Sequence, residues 1–343
     1  MYNCDPTFGI ILSNRGPVLN YCTPSELIDM GVRAEESRMF NTVWAGDAFL
    51  TNPRLDAIAL LSAVAAKTTD IRIGPACMGS FTQRGALDLA YQWASLDQIA
   101  NGRSLMVACA GGGGGPAWEN EGRNTGVSSS DRRKLMWERI ELVRKLWSQD
   151  NVNFLGSFHD LKDVSILPKP VKSSYPIWAA TNITRLATGT SAGSIPEKTF
   201  MRIGELCDGW MTHSVTPEVF SVAWEKILNS AKKMNKNTKD FDNALVVNIC
   251  VNNDREAALD EAGSFLAEYY NITFSKDRTK DWTAHGSAVE CAKTLAEYNN
   301  CGVKHVALRI ASRDQNGQFE RFWTYVYQAD LQQYHVLRQR LQG

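Results

Sequence analysis

Residues 71–110 read IRIGPACMGSFTQRGALDLAYQWASLDQIANGRSLMVACA: an apolar run, a stretch with helical spacing, and a second apolar run. In the middle stretch Leu87, Ala90, Tyr91 and Ala94 fall at i, i+3, i+4 and i+7, which predicts one apolar stripe on a helix, with Gly102 as its stop signal. IRIGPACM and RSLMVACA are nearly continuous in apolar residues and too short for helices. Strands buried on both faces read this way, and two of them joined through a helix pair in parallel.

The unit recurs along the chain. TFGIILS (7–13) precedes SELIDMGVRAEESRMF, where Ser25 is the expected N-cap, and TVWAGD (42–47) precedes DAIALLSAVAAKT. After the amphipathic helix SDRRKLMWERIELVRKLW come PIWAATN, EKTFMRIGELC, GWMTHS, PEVFSVAWEKILNSAKKMN, ALVVNICVN, DREAALDEAGSFLAEYYN, SAVECAKTLAEYNNCG and HVALRI. A last helix is expected from about Phe319 to about Leu341. Eight strands result, starting near 7, 42, 71, 104, 176, 209, 244 and 305. Closing them into an α/β (β/α)8 TIM barrel covers both faces and leaves no edge, with a doubly wound open sheet as the alternative. The expectation is a single barrel domain over 1–343, with insertion segments near 148–175, 183–193 and 271–286.

Composition narrows the function. Lys plus Arg number 37 and Asp plus Glu 37, so there is no basic field to draw the chain to nucleic acid or an anionic membrane. Eight cysteines are scattered without a CxxC pair, which fits buried thiols in a reducing compartment and neither a disulfide framework nor a zinc site. MYNCDPTFG lacks the pattern of a secretory leader, and no apolar run reaches membrane-spanning length. A soluble cytoplasmic protein is expected.

VWAGDAFL, PRLDAIALLSAVAAKTTDIRIGPACMG and ASLDQIANGRSLMVACAGGG, in that order, resemble the bacterial-luciferase-like monooxygenase family. SSDRRKLMWERIELVRKLW, VNFLGSFHDLKDVSILPKPV, ELCDGW and GSAVECAKTLAEYNNCGVKHVALRI continue the likeness over essentially the whole chain. The resemblance implies a (β/α)8 barrel, commonly a homodimer, that binds reduced FMN or a deazaflavin coenzyme with its ring in the barrel mouth. It also implies that oxygenating members receive reduced flavin from a separate reductase.

Loops after the strand C-termini form the working face of such a barrel. Asn14 and Arg15 end strand one, Asp47 ends strand two, Ala76 to Ser80 end strand three, and Cys109 ends strand four. The resemblance places a non-proline cis peptide between Ala76 and Cys77, beneath the flavin, and makes Asn14, Ala76, Cys77 and Cys109 cofactor contacts. Many relatives carry histidine directly after the aspartate, where this chain has Ala48, which weakens any mechanism that needs that imidazole. For the phosphate, Thr181 and Asn182 follow strand five, while Gly193 and Ser194 open a helix, with Arg185 between them as a counter-charge; the assignment stays split. Asp47, His213 and Arg309 are the catalytic candidates, Arg309 because an arginine ending a barrel strand must reach solvent or an anion. His285 and His159 are further candidates of the same kind as His213.

The run GGGGGPAWENEG from Gly111 lacks the lysine and hydroxyl of a phosphate loop. It is expected as the strand-four loop over the flavin, where glycines permit close approach, with Trp118 as a lid or substrate wall; a connector without ligand contact is the alternative. Cys77, Met78 and Trp118 are expected to keep the pocket dry. The leading expectation is therefore a monooxygenase using reduced FMN and O2 on a small organic substrate. A deazaflavin-dependent dehydrogenase or reductase, or a non-catalytic flavin-binding protein, is the alternative.

Overall fold

Eight parallel strands meet at the centre of the computed structural model, which describes residues 7–111, 115–181 and 197–331. In chain order the elements are β1 (Thr7–Leu12), α1 (Pro24–Glu36), β2 (Phe40–Ala45), α2 (Ala57–Lys67), β3 (Arg72–Pro75), α3 (Ala86–Ile99), β4 (Met106–Ala108), α4 (Pro116–Thr125) and α5 (Arg132–Ser148). There follow β5 (Val152–Leu155), β6 (Asp160–Val164), β7 (Ile177–Ala180), α6 (Glu197–Leu206), β8 (Gly209–His213), α7 (Pro217–Lys233), β9 (Asp242–Val251) and α8 (Arg255–Tyr270). The remainder is α9 (Lys276–Asp281), β10 (Thr283–Gly286), α10 (Ala288–Asn300), β11 (His305–Ile310), α11 (Gln315–Arg321) and a π-helix, Phe322–Leu331.

The strand order is β3-β2-β1-β11-β9-β8-β7-β4, and the ends of that path meet through the parallel bridges Ile73–Ser104 and Met78–Ala108. The sheet is thus a barrel, and its eight strands are those expected from the apolar runs. The short β10 pairs with the far end of β9, and β5 with β6 form a separate antiparallel hairpin. No helix of the described residues is long and apolar enough to cross a membrane.

Alternation along each strand sorts two cores. Phe8, Ile10, Leu12, Val43 and Leu308 face the helices, while Ile11, Trp44, Val107, Trp178, Met211, Val246 and Ala307 fill the barrel. The two indoles are bulky enough to need bare backbone beside them. A Cβ at Gly9 of β1 would lie 2.3 Å from Trp44 Nε1, one at Gly74 of β3 would lie 3.0 Å from its far edge, and one at Gly209 would lie 2.5 Å from Trp178 Nε1. At the N-terminal floor one carboxylate, Asp242, gathers three basic side chains: His305 Nε2 at 3.0 Å, Lys304 Nζ at 3.5 Å and Arg72 Nη1 at 4.0 Å.

Local details correct three expectations. The first helix is capped by Thr23 and not Ser25, in a capping box with Glu26, because Pro24 takes the first helical position. On α3 the buried face is Ala86, Leu89, Ala90, Trp93 and Ala94, and Leu87 and Tyr91 stand 39% and 53% exposed, since Trp93 and not Tyr91 faces the barrel layer. The last helical stretch begins at Gln315, four residues before Phe319, and runs to residue 331 at the end of the described part.

Candidate active site

Asn14, Arg15, Asp47, Ala76, Cys77, Cys109, His213 and Arg309 lie at or just beyond the C-terminal ends of their strands, on the mouth of the barrel. Asn14 uses its amide to tie the loop after β2, donating to Gly46 O at 2.7 Å and Leu55 O at 2.8 Å, which makes it a brace of the mouth. Asp47 is held just beyond β2: its Oδ2 accepts from the Ser80 N–H at 2.7 Å and the Ser80 hydroxyl at 2.6 Å, and Arg84 Nη2 stands 3.7 Å from Oδ1. Burial pushes its carboxyl above the usual range, opposed by Ser80 and Arg84.

The peptide between Ala76 and Cys77 is cis, at the position the family likeness implied. Ala76 and Cys77 lie half-buried against the barrel core with Ala180. The neighbouring Cys109 thiol and burial push Cys77 up, whereas Cys77 and the Gly111 N–H hold Cys109 below its ordinary value against burial. The Cys109 sulfur also accepts from Gly111 N at 3.4 Å. Gly111 itself sits at φ 65°, and a Cβ there would lie 2.4 Å from the Gly79 carbonyl. The close approach that glycine permits here is therefore to the strand-three loop.

Across the mouth stands an aromatic wall that the sequence did not disclose. Trp282 packs against His213 with ring centres 4.8 Å apart, against Tyr270 at 5.6 Å and against Phe274 at 6.2 Å. Its indole N–H donates to Val246 O at 3.0 Å, which fixes the ring over the barrel core. These residues come from the segment 270–282, where the only available signal was the density of aromatics in YYNITF and DW. His213 is half-exposed at the end of β8, with Nδ1 3.1 Å from the Ser214 hydroxyl.

Other candidates are placed elsewhere. His285 is buried in β10, bonded to Thr283 O at 2.9 Å, and His159 lies on the outer hairpin, 2.9 Å from Glu138. Met78 is buried in the outer core between barrel and helices, so it does not line the mouth. Trp118, on α4, is half-buried with the Arg132 guanidinium 5.7 Å from its ring. Thr181 ends β7 with its hydroxyl oxygen accepting the Trp210 indole N–H at 2.9 Å, which leaves its proton to donate. Asn182, Arg185, Gly193 and Ser194 lie outside the described residues, as do the three central glycines of the run. Arg309 reaches up from β11 and bonds the Tyr270 hydroxyl.

The mouth suits a flat ring with apolar faces and a polar edge. Its floor is Trp44, Val107, Met211, Ala76 and Cys77, and Asn248 Oδ1 on β9 is a buried acceptor with no partner among the described residues. That acceptor fits an N–H on the edge of a flavin or deazaflavin. A shallow recess of about 520 Å3 lies along α8 and the loop after it, lined by Gly263, Ala267, Asn271 and Phe274 among others, but none of the strand-end residues opens into it.

The molecule is a closed parallel barrel with an apolar bed and a non-proline cis peptide at its mouth. The chain belongs to the luciferase-like monooxygenase family, whose profile matches residues 7–300. It is 25% identical over 332 residues to an F420-dependent glucose-6-phosphate dehydrogenase of Amycolatopsis mediterranei, covering 88% of this chain and 92% of the relative. Among solved structures it resembles an F420-dependent secondary alcohol dehydrogenase in complex with an F420-acetone adduct, with TM-score 0.76 at 20% identity over 94% of this chain and 98% of that one. A monooxygenase from Streptomyces bottropensis is similar to the same degree, with TM-score 0.76 at 19% identity over 96% and 99%. At those identities the structural likeness speaks to the fold.

Proposed function

We propose that this chain is a deazaflavin-dependent oxidoreductase that exchanges a hydride with a small hydroxylated substrate. The observation that carries the reading is the near full-length likeness to an F420-dependent dehydrogenase, 25% identical over 88% of the chain. A bound deazaflavin supplies a two-electron hydride acceptor or donor. The chain's own residues bind, orient and dehydrate. Trp44, Val107, Met211, Ala76 and Cys77 offer the ring an apolar bed, and Trp282, Tyr270 and Phe274 exclude water from the opposite side. Asp47 fastens the strand-three loop through Ser80 and so sets the position of Ala76 and Cys77. With Ala48 in the place of the relatives' histidine, the imidazole that accepts the substrate's hydroxyl proton in this reading is His213, half-exposed against Trp282.

A second reading keeps the fold and changes the chemistry: an oxygenase fed with reduced FMN by a separate reductase. The specific observation in its favour is Ala48, since oxygen transfer makes no demand for an imidazole there. Titrating the chain anaerobically with reduced FMN and reduced deazaflavin, followed by fluorescence quenching, and then admitting air, separates the two. Selective deazaflavin binding without oxygen consumption supports hydride transfer. Tight FMN binding followed by a long-lived oxygen-dependent absorbance overturns it.

A further inference from the structure

Three arginines from distant parts of the sequence meet at the mouth around one tyrosine. Arg15 follows β1, Arg54 lies in the loop after β2, and Arg309 is on β11. The guanidinium of Arg54 lies 5.3 Å from the Tyr269 ring centre, and that of Arg309 lies 5.2 Å from the same ring and 5.4 Å from Tyr270. Arg54 Nη1 also donates to the Tyr269 hydroxyl at 3.3 Å, and Arg15 Nη1 donates to the Tyr269 carbonyl and to Asn52 Oδ1, both at 2.6 Å.

No carboxylate among the described residues lies within ion-pair distance of any of the three. Glu268, the acid beside Tyr269 in the chain, is held by Arg313. Arg309 is 3% exposed and Arg15 8% exposed, so bulk water does not replace the missing counter-ion, and Nε of each is buried with no partner among the described residues. A guanidinium carries five N–H donors, and among the described residues Arg309 makes a single hydrogen bond, to the Tyr270 hydroxyl. That partner is a neutral phenol whose ionisation burial pushes further up. Other buried arginines also leave Nε unpartnered, but each has a firmer anchor: Arg132 pairs with Glu121 at 3.2 Å, and Arg139 donates to the carbonyls of Phe81 and Arg84. A buried cation held by one phenol and two aromatic faces is costly unless an anion completes it.

We propose that Arg309, backed by Arg54 and Arg15 on the Tyr269–Tyr270 pair, forms an anion-recognition site at the mouth that takes a carboxylate or phosphate group of the substrate. Calling the bound molecule a substrate rests on the deazaflavin reading above; the site itself does not. The planar guanidinium fork matches two oxygens of either group side by side. The aromatic faces keep the surroundings apolar enough to favour an anionic substrate over its neutral analogue.

The test uses the full chain without coenzyme, titrated calorimetrically with inorganic phosphate and, separately, with malonate, at ionic strength matched with sodium chloride. Saturable binding of one of them is expected, and which one binds tells phosphate from carboxylate. Arg309→Met should raise its Kd roughly 10- to 100-fold, Arg309→Lys less, and Arg54→Met about 10-fold, whereas Arg72→Met at the barrel floor should leave it unchanged. If Arg309→Met fails to fold, the half-exposed Arg54 variant carries the comparison. Absence of saturable binding, or an unchanged Kd in both arginine variants, overturns the proposal. So does a parallel titration in which Arg309→Met weakens deazaflavin binding and spares the anion. Anion binding by a chain that ignores deazaflavin keeps this site and removes the dehydrogenase reading; the reverse pattern keeps the reading and removes the site.

Discussion

The two ends of the barrel handle charge in opposite ways. At the floor Lys304, Arg72 and the His305 imidazole surround one carboxylate, and the group answers its own charge within the fold. At the mouth three guanidiniums surround two tyrosines, and the fold supplies no acid among the described residues. The floor is built to stay closed, and the mouth is built around something the chain does not contain. Barrel strands run through both ends, so a substitution at either can be read against the other.

The largest expected effect comes from the layer just above the floor. Trp178 packs 5.8 Å from the His305 ring, and Trp178→Ala should cost about 3–5 kcal/mol of stability by opening a cavity there. Chemical denaturation measures it, and a loss below 1 kcal/mol means that the barrel interior collapses around the gap. At the mouth, His213→Ala should lower turnover about 100-fold or more once a substrate is found, with deazaflavin affinity within a few-fold of the parent. Turnover that survives the change removes His213 from the proton path.

Asp242→Asn at the floor should cost on the order of 1 kcal/mol, with unchanged coenzyme and anion affinity, because its partners lie near the surface of the barrel base. Its acid response has a definite sign. Against the effect of burial, the His305 hydrogen bond and the nearby Lys304 and Arg72 hold the Asp242 carboxyl below its ordinary 3.8, so its contribution is complete above that pH and disappears as pH falls through the lower folded value. The variant should therefore lose less stability than the parent below about pH 3.8. Asp47→Asn should show the smallest change and the opposite sign. Burial raises the folded carboxyl of Asp47 above 3.8, so its ionisation opposes folding as pH rises from 3.8 through that raised value. Thermal melts at neutral pH should find the variant at or slightly above the parent; a large fall would mean that Asn cannot keep the two Ser80 contacts.

The barrel was legible because a strand covered on both faces leaves a run of apolar residues, and TFGIIL, IWAA and HVALRI all carry that mark. The hairpin β5–β6 and the four-residue β10 leave no such mark, being exposed in one case and very short in the other. Asn14, Asp47, Cys77 and Cys109 were placed at the mouth from strand ends alone. What strand ends could not give was direction across the barrel. Arg15 stood beside Asn14 in the sequence, yet its partner, the Tyr269 carbonyl, is 254 residues away. Tyr270 and Trp282 lay in a segment without a clear period, and only the folded chain brings them over His213.

One more consequence belongs to the glycines. The Trp44 indole spans three strands, resting its pyrrole edge on Gly9 and its benzene edge on Gly74, so a methyl group at either place would tilt or lift it. Trp44 is part of the bed beneath Ala76 and Cys77. How deep a guest sinks into this barrel is therefore decided by two hydrogen atoms, on the strands either side of β2, that the guest never meets, and a search for variants with altered substrate size has reason to begin there.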